Sequence, residues 1–457
     1  MNDLMPTPCA WLVCQAGCDE RYPMDEVRYR CARCGGLLDV EHDLGALGQR
    51  SGAAWRDLFD RRARLAPPPY ASGVWGKKEW VCPNIEDKHV VTLLEGWTPL
   101  LPTPDLGEAL GLPNLLVKQC GHSHTGSFKD LGMTVLVSMV RHLSGCGHAV
   151  RAVACASTGD TSAALAAYAA RAQIPACVFL PAGRISDEQL TQALANFAVT
   201  VALDTDFDGC MAVAAAFCER HGVYLANSMN PLRIEGQKTL SVEVCQQLGW
   251  EVPDWVVVPG GNLGNVTAIG RGFLLLRALG LVDRTPRLAV AQAEGAAPLW
   301  RAFRDGWRYA PIVAKPTLAT AIQIGAPVNA HKAIEVLRAL DGVVEVATEE
   351  ELLRAAVLGD RHGLYTDPHT GVALAAAAKL AAAGTIGRDE RVVVVSTAHG
   401  LKFSAFKRSY HLAGSGPAPG VAPAGRNAPL FLPADLPSVE RALLPLLDTR
   451  WPDHSAR

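Results

Sequence analysis

The sequence predicts an α/β fold with more than one parallel sheet. From residue 151 onward, short apolar runs of the kind that form strands alternate with longer runs of helical character, and the alternation continues to RVVVVSTAHG at residues 391–400. Parallel strands are buried on both faces and need long crossover connections, which are usually helices. Alternation over this length therefore indicates parallel sheets covered by helices.

The individual elements follow in chain order. Each predicted strand is a short apolar run bounded by turn residues: RAVACAS, ACVFLP, VTVALDT, WVVVPGG, RLAVAQAEG and RVVVVSTAHG. The predicted helices are MTVLVSMV, AALAAYAARA, ISDEQLTQALAN, CMAVAAAFCERHG and the run after GGNLGN, with WRDLFDRRARL as an earlier helix. The fourth of these is expected to end on Gly222, since glycine is the usual residue just past a helix.

Composition limits the classes of protein that need to be considered. With 457 residues, 49% of them hydrophobic, the chain is expected to form two or three domains. A formal net charge of −2 gives no electrostatic basis for binding nucleic acid or an anionic membrane. No apolar run reaches the roughly 20 residues of a membrane span, and the start has no basic region typical of a secretion signal. An odd number of scattered cysteines, 13, favours reduced thiols in a cytoplasmic protein.

Three regions are expected along the chain. Residues 1–90 form a cysteine-rich N-terminal region, and residues 91–412 form the main core. Residues 413–457 begin with GSGPAPGVAPAGRNAP, whose Pro/Gly/Ala composition is typical of a linker, and VERALLPLL after it is expected to form a short helix.

The N-terminal region contains a candidate metal site made of Cys14, Cys18, Cys31 and Cys34. The last two form C-x-x-C followed by two glycines, a turn that lets two thiolates face one ion. Four thiolates suit tetrahedral zinc in a structural role. The alternative is four buried thiols, since reduced cysteine is often buried.

The stretch HTGSFKDLGMT places Lys129 where a loop enters an apolar helix. An amine that is desolvated in a pocket loses basicity and becomes a nucleophile suited to Schiff-base chemistry. Taken alone, a surface lysine near a helix start is the simpler interpretation, because lysine is mostly exposed.

Four other loops follow predicted strands or precede predicted helices. GGNLGN (Gly260–Asn265) suits a phosphate, although a plain tight turn is the alternative. STGDTS (Ser157–Ser162) suits a carboxylate or a second phosphate, although such residues are also ordinary helix caps. NSMNPLRIEGQKT contains Arg233, which could bind an oxyanion through two parallel hydrogen bonds or simply lie in a solvated loop. STAHGLK places Thr397 beyond the carboxyl end of a strand, where α/β proteins bind ligands.

Together these stretches supply an amine, phosphate and carboxylate loops, and a strand-end hydroxyl, which is the set that a pyridoxal phosphate enzyme needs. From about Cys31 to Lys402 the five motifs, in this order, resemble the threonine synthases, which are pyridoxal phosphate enzymes of fold type II, and the plant-type branch is the most similar. The resemblance implies a tryptophan synthase beta-like fold: two parallel-sheet domains with the cofactor in the cleft between them. The smaller domain would be inserted into the larger one at roughly residues 133–240.

The resemblance also implies roles for particular residues. Lys129 would form the Schiff base with the cofactor, Thr397 would face its ring nitrogen, and Asp160 would lie beside its ring hydroxyl, where many members carry Asn. The cofactor phosphate would be held by Gly261, Asn262, Leu263, Gly264 and Asn265. Substrate carboxylate or phosphate would be bound by Ser157, Thr158 and Thr161, with Asn227, Ser228 and Arg233 gripping the substrate phosphate.

The activity implied by the resemblance is conversion of O-phospho-L-homoserine and water to L-threonine and phosphate, by γ-elimination and β-addition of water. A homodimer is implied as well, with S-adenosylmethionine as an activator near SGVWGKKEW. Two enzymes of the same fold are alternatives, a threonine dehydratase and a cysteate synthase. A protein of this fold that binds an effector or a metal without catalysis is a third, which an intact Lys129 disfavours.

Overall fold

The computed structural model describes residues 9–157, 159–182, 187–412 and 427–450. Thr158 and residues 413–426 of the predicted linker lie outside these ranges. The chain divides into two units, residues 1–404 and 405–457, and the architecture below is that of the first. In the second unit, the predicted C-terminal helix is present at Leu436–Arg450.

The strands form three sheets. A three-stranded antiparallel sheet of order β2-β1-β3 lies near the N-terminus, and the largest sheet has six strands in the order β12-β11-β10-β13-β5-β4. The third sheet has four strands in the order β8-β7-β6-β9, all parallel. The strands are β1 Ala10–Cys14, β2 Arg21–Pro23, β3 Leu38–His42, β4 Leu100–Pro102, β5 Leu115–Gln119, β6 Ala152–Ala156, β7 Ala176–Pro181, β8 Val199–Leu203, β9 Val223–Leu225, β10 Trp255–Pro259, β11 Arg287–Ala293, β12 Val343–Ala347 and β13 Val392–Ser396.

The described helices include those that connect the parallel strands, as the alternating pattern predicts. They are α1 Leu44–Gly48, α2 Gly52–Leu65, α3 Lys78–Val81, α4 Pro104–Ala109, α5 Lys129–Gly145, α6 Asp160–Ala172, α7 Asp187–Ala195, α8 Phe207–His221, α9 Leu232–Gln237, α10 Thr239–Gln247, α11 Gly264–Ala278, α12 Pro298–Arg304, α13 Ala330–Ala339, α14 Glu349–Arg361, α15 Pro368–Ala382, α16 Ser404–Leu412 and α17 Leu436–Arg450. No helix among the described residues is both long and apolar enough to cross a membrane.

The predicted α/β fold class is confirmed. The six-stranded sheet is parallel except at β4, which pairs antiparallel with β5 at the edge. All residues of β10 and β13 are buried, which explains why their sequences are continuous apolar runs. Strands β1–β5, β9 and β12 are not among those predicted from the sequence; β9 has only three residues, and β12 has the pattern VVEVA, in which a charged residue interrupts a short apolar run. The four-stranded sheet lies, in sequence, between β5 and β10 of the larger sheet.

Helices α5 and α9 cross at unusually close range because both carry glycine at the contact. A Cβ atom on Gly236 would lie 1.7 Å from the carbonyl oxygen of Leu131, and one on Gly132 would lie 2.8 Å from the carbonyl oxygen of Arg233. Real Cβ atoms do not approach other atoms so closely, so only glycine permits this crossing. The crossing sets the first turn of α5, which begins at Lys129, beside Arg233.

The N-terminal sheet is attached to the body through buried ion pairs of Asp39 and a contact of His42, whose pKa burial lowers. Asp39 pairs with Arg271 at 2.7 Å and also with Lys332, and His42 Nε2 lies 2.5 Å from Glu235 Oε2. Breaking one buried pair leaves a charge without its partner, which is strongly unfavourable. This sheet therefore has a fixed position on the body rather than forming a loose appendage.

The α5–α9 crossing gives a stability prediction. Gly236→Ala is expected to destabilise the protein by about 3 kcal/mol, the upper part of the range for overpacking, because the new methyl group overlaps the backbone of α5. Gly48→Ala is the matched control, since Gly48 is also helical and has nothing within 4 Å of the added Cβ; it is expected to change stability by less than about 1 kcal/mol. Denaturant unfolding measures both, and equal midpoints for the two variants would contradict the close crossing.

Candidate active site

Lys129 is the first residue of α5, and its loop is hydrogen-bonded to the segment that follows β13. The backbone N–H of Phe128 donates to the carbonyl oxygen of Thr397 at 2.9 Å. The backbone N–H of His399 donates to the carbonyl oxygen of Gly126, also at 2.9 Å. Two stretches more than 260 residues apart in sequence are thereby joined backbone to backbone. The structure thus brings the predicted amine and the predicted strand-end hydroxyl of Thr397 into one site.

The amine of Lys129 is partly shielded from solvent, and its surroundings disfavour the charged form. Desolvation is the main cause that lowers its pKa to about 7, with further lowering by the cations of Arg233 and Lys402 and an opposing effect of Asp160. The ammonium lies 3.8 Å from the centroid of the Phe128 ring. Near neutral pH a large fraction of this amine is therefore unprotonated and able to act as nucleophile or base.

Lys402 is a second buried lysine in the site, and its motif STAHGLK does not by itself indicate a role for it. Its Nζ lies 3.1 Å from Asp160 Oδ1, and it donates to the carbonyl oxygen of Thr125 at 2.9 Å and to Gln192 Oε1 at 2.7 Å. Gly126, at φ +82°, leaves room for the Lys402 stem, which a Cβ there would meet at 3.1 Å. Asp160 is therefore held as one partner of a buried ion pair next to Lys129.

Arg233 is buried, with 4% of its surface exposed, and it lacks a carboxylate partner within the described part of the chain. Its guanidinium donates to Ser228 Oγ at 3.4 Å, to the Ala226 carbonyl oxygen at 3.3 Å and to Thr161 Oγ1 at 3.1 Å. Its Nε–H has no hydrogen-bond partner, and desolvation lowers the pKa of the group to about 10. A buried cation in this condition is costly unless an anion completes it.

Asn227 has a different environment from the one that its motif predicts. Its side-chain amide donates to the Ala156 carbonyl oxygen at 2.8 Å and accepts from the Ala156 N–H at 3.0 Å. Both ends of the amide are therefore used to brace the end of β6. Ser157 accepts from the Gly159 N–H at 3.2 Å, as a residue in a tight loop does, and Thr158 lies outside the described residues.

The glycine loop lies between β10 and α11. Leu263 has φ +62°, an unusual value for a leucine, and α11 begins at the next residue. A Cβ on Gly261 would lie 3.1 Å from Ile322, and Asn265 donates to the Pro259 carbonyl oxygen at 2.8 Å. The first N–H groups of a helix have no partner within it, so this 15-residue helix directs donors toward the loop.

Asn329 joins the glycine loop to the loop that contains Ser228. It is not among the site residues predicted from the sequence. Its side-chain amide donates to the Ser228 carbonyl oxygen at 3.3 Å and to the Asn262 carbonyl oxygen at 3.2 Å. Only 1% of Asn329 is exposed. A single asparagine between an irregular segment and a helix gives no sequence signal, because the contact exists only when both loops converge.

The four cysteines of the N-terminal region also converge. The Sγ atoms of Cys14, Cys18, Cys31 and Cys34 all lie within 4.8 Å of one another. Gly35 has φ +70°, as a turn after C-x-x-C requires, and the Gly36 N–H donates to Cys34 Sγ at 3.3 Å. The arrangement has the donor set and the compactness of a structural four-thiolate site.

Comparison with known proteins gives concordant matches. Residues 91–398 match the family model described as pyridoxal-phosphate dependent enzyme. The chain is 52% identical over 395 residues to threonine synthase 2, chloroplastic, of Arabidopsis thaliana, covering 86% of this chain and 76% of that one. It is 39% identical over 387 residues to threonine synthase of Methanocaldococcus jannaschii, covering 84% and 91%. The solved structure of threonine synthase from Escherichia coli has a TM-score of 0.66 at 22% identity, covering 95% and 100%, and supports the fold.

The charges around Lys129 predict that two variants shift the pKa of its amine in opposite directions. In protein freed of cofactor, reaction of Lys129 with acetic anhydride should rise with pH around a midpoint near 7, whereas an ordinary lysine has a pKa of about 10.4. Asp160→Asn should lower the midpoint, because it removes an anion that favours the ammonium, and Lys402→Met should raise it, because it removes a cation. Peptide mass spectrometry reads the labelling, with exposed Lys88 as internal reference; two shifts of the same sign would contradict this arrangement.

Proposed function

The chain belongs to the threonine synthases within the pyridoxal-phosphate dependent enzymes, and on that premise we propose how its own residues convert O-phospho-L-homoserine and water to L-threonine and phosphate. The family membership fixes the reaction and the need for pyridoxal phosphate. The assignment of residues to steps rests on the burial, charge and contacts described above.

The residues present suit pyridoxal phosphate. When bound, this cofactor supplies an aldehyde that reacts with amines and a conjugated ring that delocalises the electron pair left after loss of a Cα proton. Lys129 provides an amine with a large unprotonated fraction near pH 7 for the aldehyde, and the loop from Gly261 to Asn265 at the start of α11 provides donors for the phosphate. We assign Thr397 to the ring nitrogen and Asp160 to the ring hydroxyl.

Lys129 acts as the proton-transferring group. An amine with a pKa of about 7 is matched to neutral pH, so it takes the Cα proton of the substrate and returns it with little energetic penalty in either direction. Its position at the start of α5 is fixed by the backbone bonds to Thr397 and by the glycine crossing with α9. The Asp160–Lys402 ion pair holds a fixed anion and cation close to that amine.

The environment of Arg233 is the observation that most supports a phosphorylated substrate. It is a buried cation whose Nε–H has no partner, and the hydroxyls of Ser228 and Thr161 lie on either side of its guanidinium. A guanidinium binds phosphate through parallel hydrogen bonds, and hydroxyls complete such a site. A dehydratase substrate has a carboxylate but no phosphate, so it offers the site one anion fewer than O-phospho-L-homoserine does. The Asn227 amide braces β6 through its oxygen and one N–H, and we keep its second N–H as a proposed donor to the substrate phosphate.

A product assay tests the proposal. The protein is expected to release phosphate from O-phospho-L-homoserine and to form an equal amount of threonine, and Lys129→Ala is expected to abolish both. Arg233→Lys should lower kcat/KM by roughly 10- to 150-fold, because a charged hydrogen bond contributes about 1.5–3 kcal/mol. Phosphate without threonine would indicate another nucleophile, as in a cysteate synthase, and deamination of threonine without phosphate release would indicate a dehydratase.

A structural zinc ion in the four-cysteine cluster is a separate proposal, supported by the convergence of the four Sγ atoms. Cobalt-substituted protein is expected to show strong thiolate-to-cobalt absorption, which Cys31→Ser/Cys34→Ser loses and which the control Cys177→Ser, outside the cluster, keeps. Elemental analysis should find zinc lost in the double variant alone. Retention of activity after loss of that zinc is expected, since the ion would be structural. Wild-type protein without the cobalt–thiolate absorption would refute the site.

Assembly as a homodimer, activation by S-adenosylmethionine and a cytoplasmic location remain predictions. The SGVWGKKEW stretch is mostly buried within one chain: Trp75 Nε1–H donates to Thr134 Oγ1 at 2.7 Å, and Lys77 lies over the Trp97 ring at 4.3 Å. Its conspicuous residues therefore have a packing role. Sedimentation of the protein tests the dimer, and the product assay with added S-adenosylmethionine tests activation; a monomer, or a rate unchanged by S-adenosylmethionine, would refute the corresponding prediction.

A further inference from the structure

A second cluster of metal-ligating side chains lies at the other end of α5 from Lys129. It consists of Glu86 and His89, at the turn before Val90, and His142, in the last turns of α5. His142 follows Lys129 by 13 residues, which corresponds to about 20 Å along a helix. The cluster is therefore separate from the catalytic site and from the four-cysteine cluster, whose residues all precede position 35.

The two imidazoles present the same nitrogen to each other. His89 Nδ1 lies 3.0 Å from His142 Nδ1, and one ligand atom from each of Glu86, His89 and His142 lies within 4.8 Å of the other two. His89 and His142 are 8% and 7% exposed, so the nitrogens converge in a largely dry environment. Two imidazole nitrogens and one carboxylate oxygen are a common donor set for zinc and related divalent ions.

The surrounding structure fixes both rings in place. Gly145 leaves space for the His89 ring, since a Cβ there would come within 2.4 Å of His89 Nε2. The segment after His89 is hydrogen-bonded to α5 one and two turns before His142: the Val91 N–H donates to Ser138 Oγ at 2.8 Å, and Thr134 Oγ1 donates to the Val91 carbonyl oxygen at 2.7 Å. Ligands that are held rigidly before binding lose little entropy on coordination.

The second ring nitrogen of His142 has a neighbour of its own. His142 Nε2 lies 3.8 Å from Cys146 Sγ; a proton placed on Nε2 to contact that sulfur leaves Nδ1 unprotonated, facing His89.

We propose that Glu86, His89 and His142 bind one divalent transition-metal ion, with zinc as the ion that the donor set fits best. Both Nδ1 atoms and a Glu86 carboxylate oxygen coordinate it, and water fills the open position. Any proton on Nδ1 moves to Nε2 or is released on binding. The ion fastens the chain that enters the catalytic core to the end of the helix that begins at Lys129.

Two features of the cluster disfavour metal binding, and the metal-free arrangement is the alternative that the test must distinguish. Lys88 pairs with Glu86 at 2.8 Å and must give up that contact, although an exposed pair of this kind contributes little. Arg141 and Lys88 also add positive charge near the imidazoles. Without a metal, the two rings form an ordinary hydrogen bond between neutral imidazoles, and Glu86 belongs to a surface ion pair alone.

The experiment measures Zn²⁺ binding to the chelator-treated, full-length holoenzyme by equilibrium dialysis. Glu86→Gln is compared with Glu108→Gln, because Glu86 and Glu108 are 55% and 56% exposed and each pairs with one basic residue, at 2.8 and 2.7 Å. The four-cysteine cluster is identical in both variants, so the difference between their isotherms reports the proposed site alone. Glu86→Gln is expected to weaken one Zn²⁺ site by about 100-fold. Loss of an outer-shell partner typically lowers metal affinity by about 10- to 100-fold, and loss of a direct ligand should cost at least the upper end of that range.

The expected result is completed by His142→Gln, which should lose the same site, while threonine production without added metal stays at the wild-type level in Glu86→Gln. If His142→Gln does not fold, the comparison of the two surface variants decides the matter by itself, since neither residue is buried. Identical Zn²⁺ isotherms for Glu86→Gln, Glu108→Gln and wild type would overturn the proposal and leave the histidines as a hydrogen-bonded pair.

Discussion

The close crossing of α5 and α9 is the constraint on which the active site depends. Gly132 and Gly236 allow the two helix backbones to approach to a distance that any side chain would prevent. The amine of Lys129, proposed as the nucleophile, is on one helix, and the guanidinium of Arg233, proposed to bind the substrate phosphate, is on the other. Because both groups are attached near the crossing, their separation is fixed by backbone packing rather than by flexible side chains, and this is the precision that catalysis by positioning requires.

The same crossing produces the electrostatics of the site. Lys129 and Arg233 are held in a region of low solvent access, and the cation of Arg233 makes the charged form of Lys129 less favourable. With a pKa of about 7, a large fraction of the Lys129 amine is unprotonated near neutral pH. Arg233 has an Nε–H without a hydrogen-bond partner, which the phosphate of the proposed substrate would supply. One arrangement thus accounts for both the proposed base and the proposed preference for phosphate esters.

Ionic contacts extend this framework to the N-terminal sheet. Glu235, two residues after Arg233 on α9, is a partner of both His42 on β3 and Lys238. Asp39 on the same strand reaches Arg271 of α11, the helix that begins at the glycine loop. The N-terminal region therefore buttresses α9, which carries Arg233, and α11, which follows the glycine loop. A metal in the four-cysteine cluster would strengthen that support from a distance.

The sequence alone determined the fold class, six of the thirteen described strands and the residue types that the proposed chemistry uses, since these follow from local hydrophobic periodicity and from short motifs. It could not reveal Lys402 beside Asp160, the bridge made by Asn329, or the use of both ends of the Asn227 amide by β6. Nor could it show that His89 and His142, 53 residues apart, point the same nitrogen at each other. These relations join segments distant in sequence, and only the packing of helices and sheets decides which of the many polar side chains in a chain of this length become neighbours.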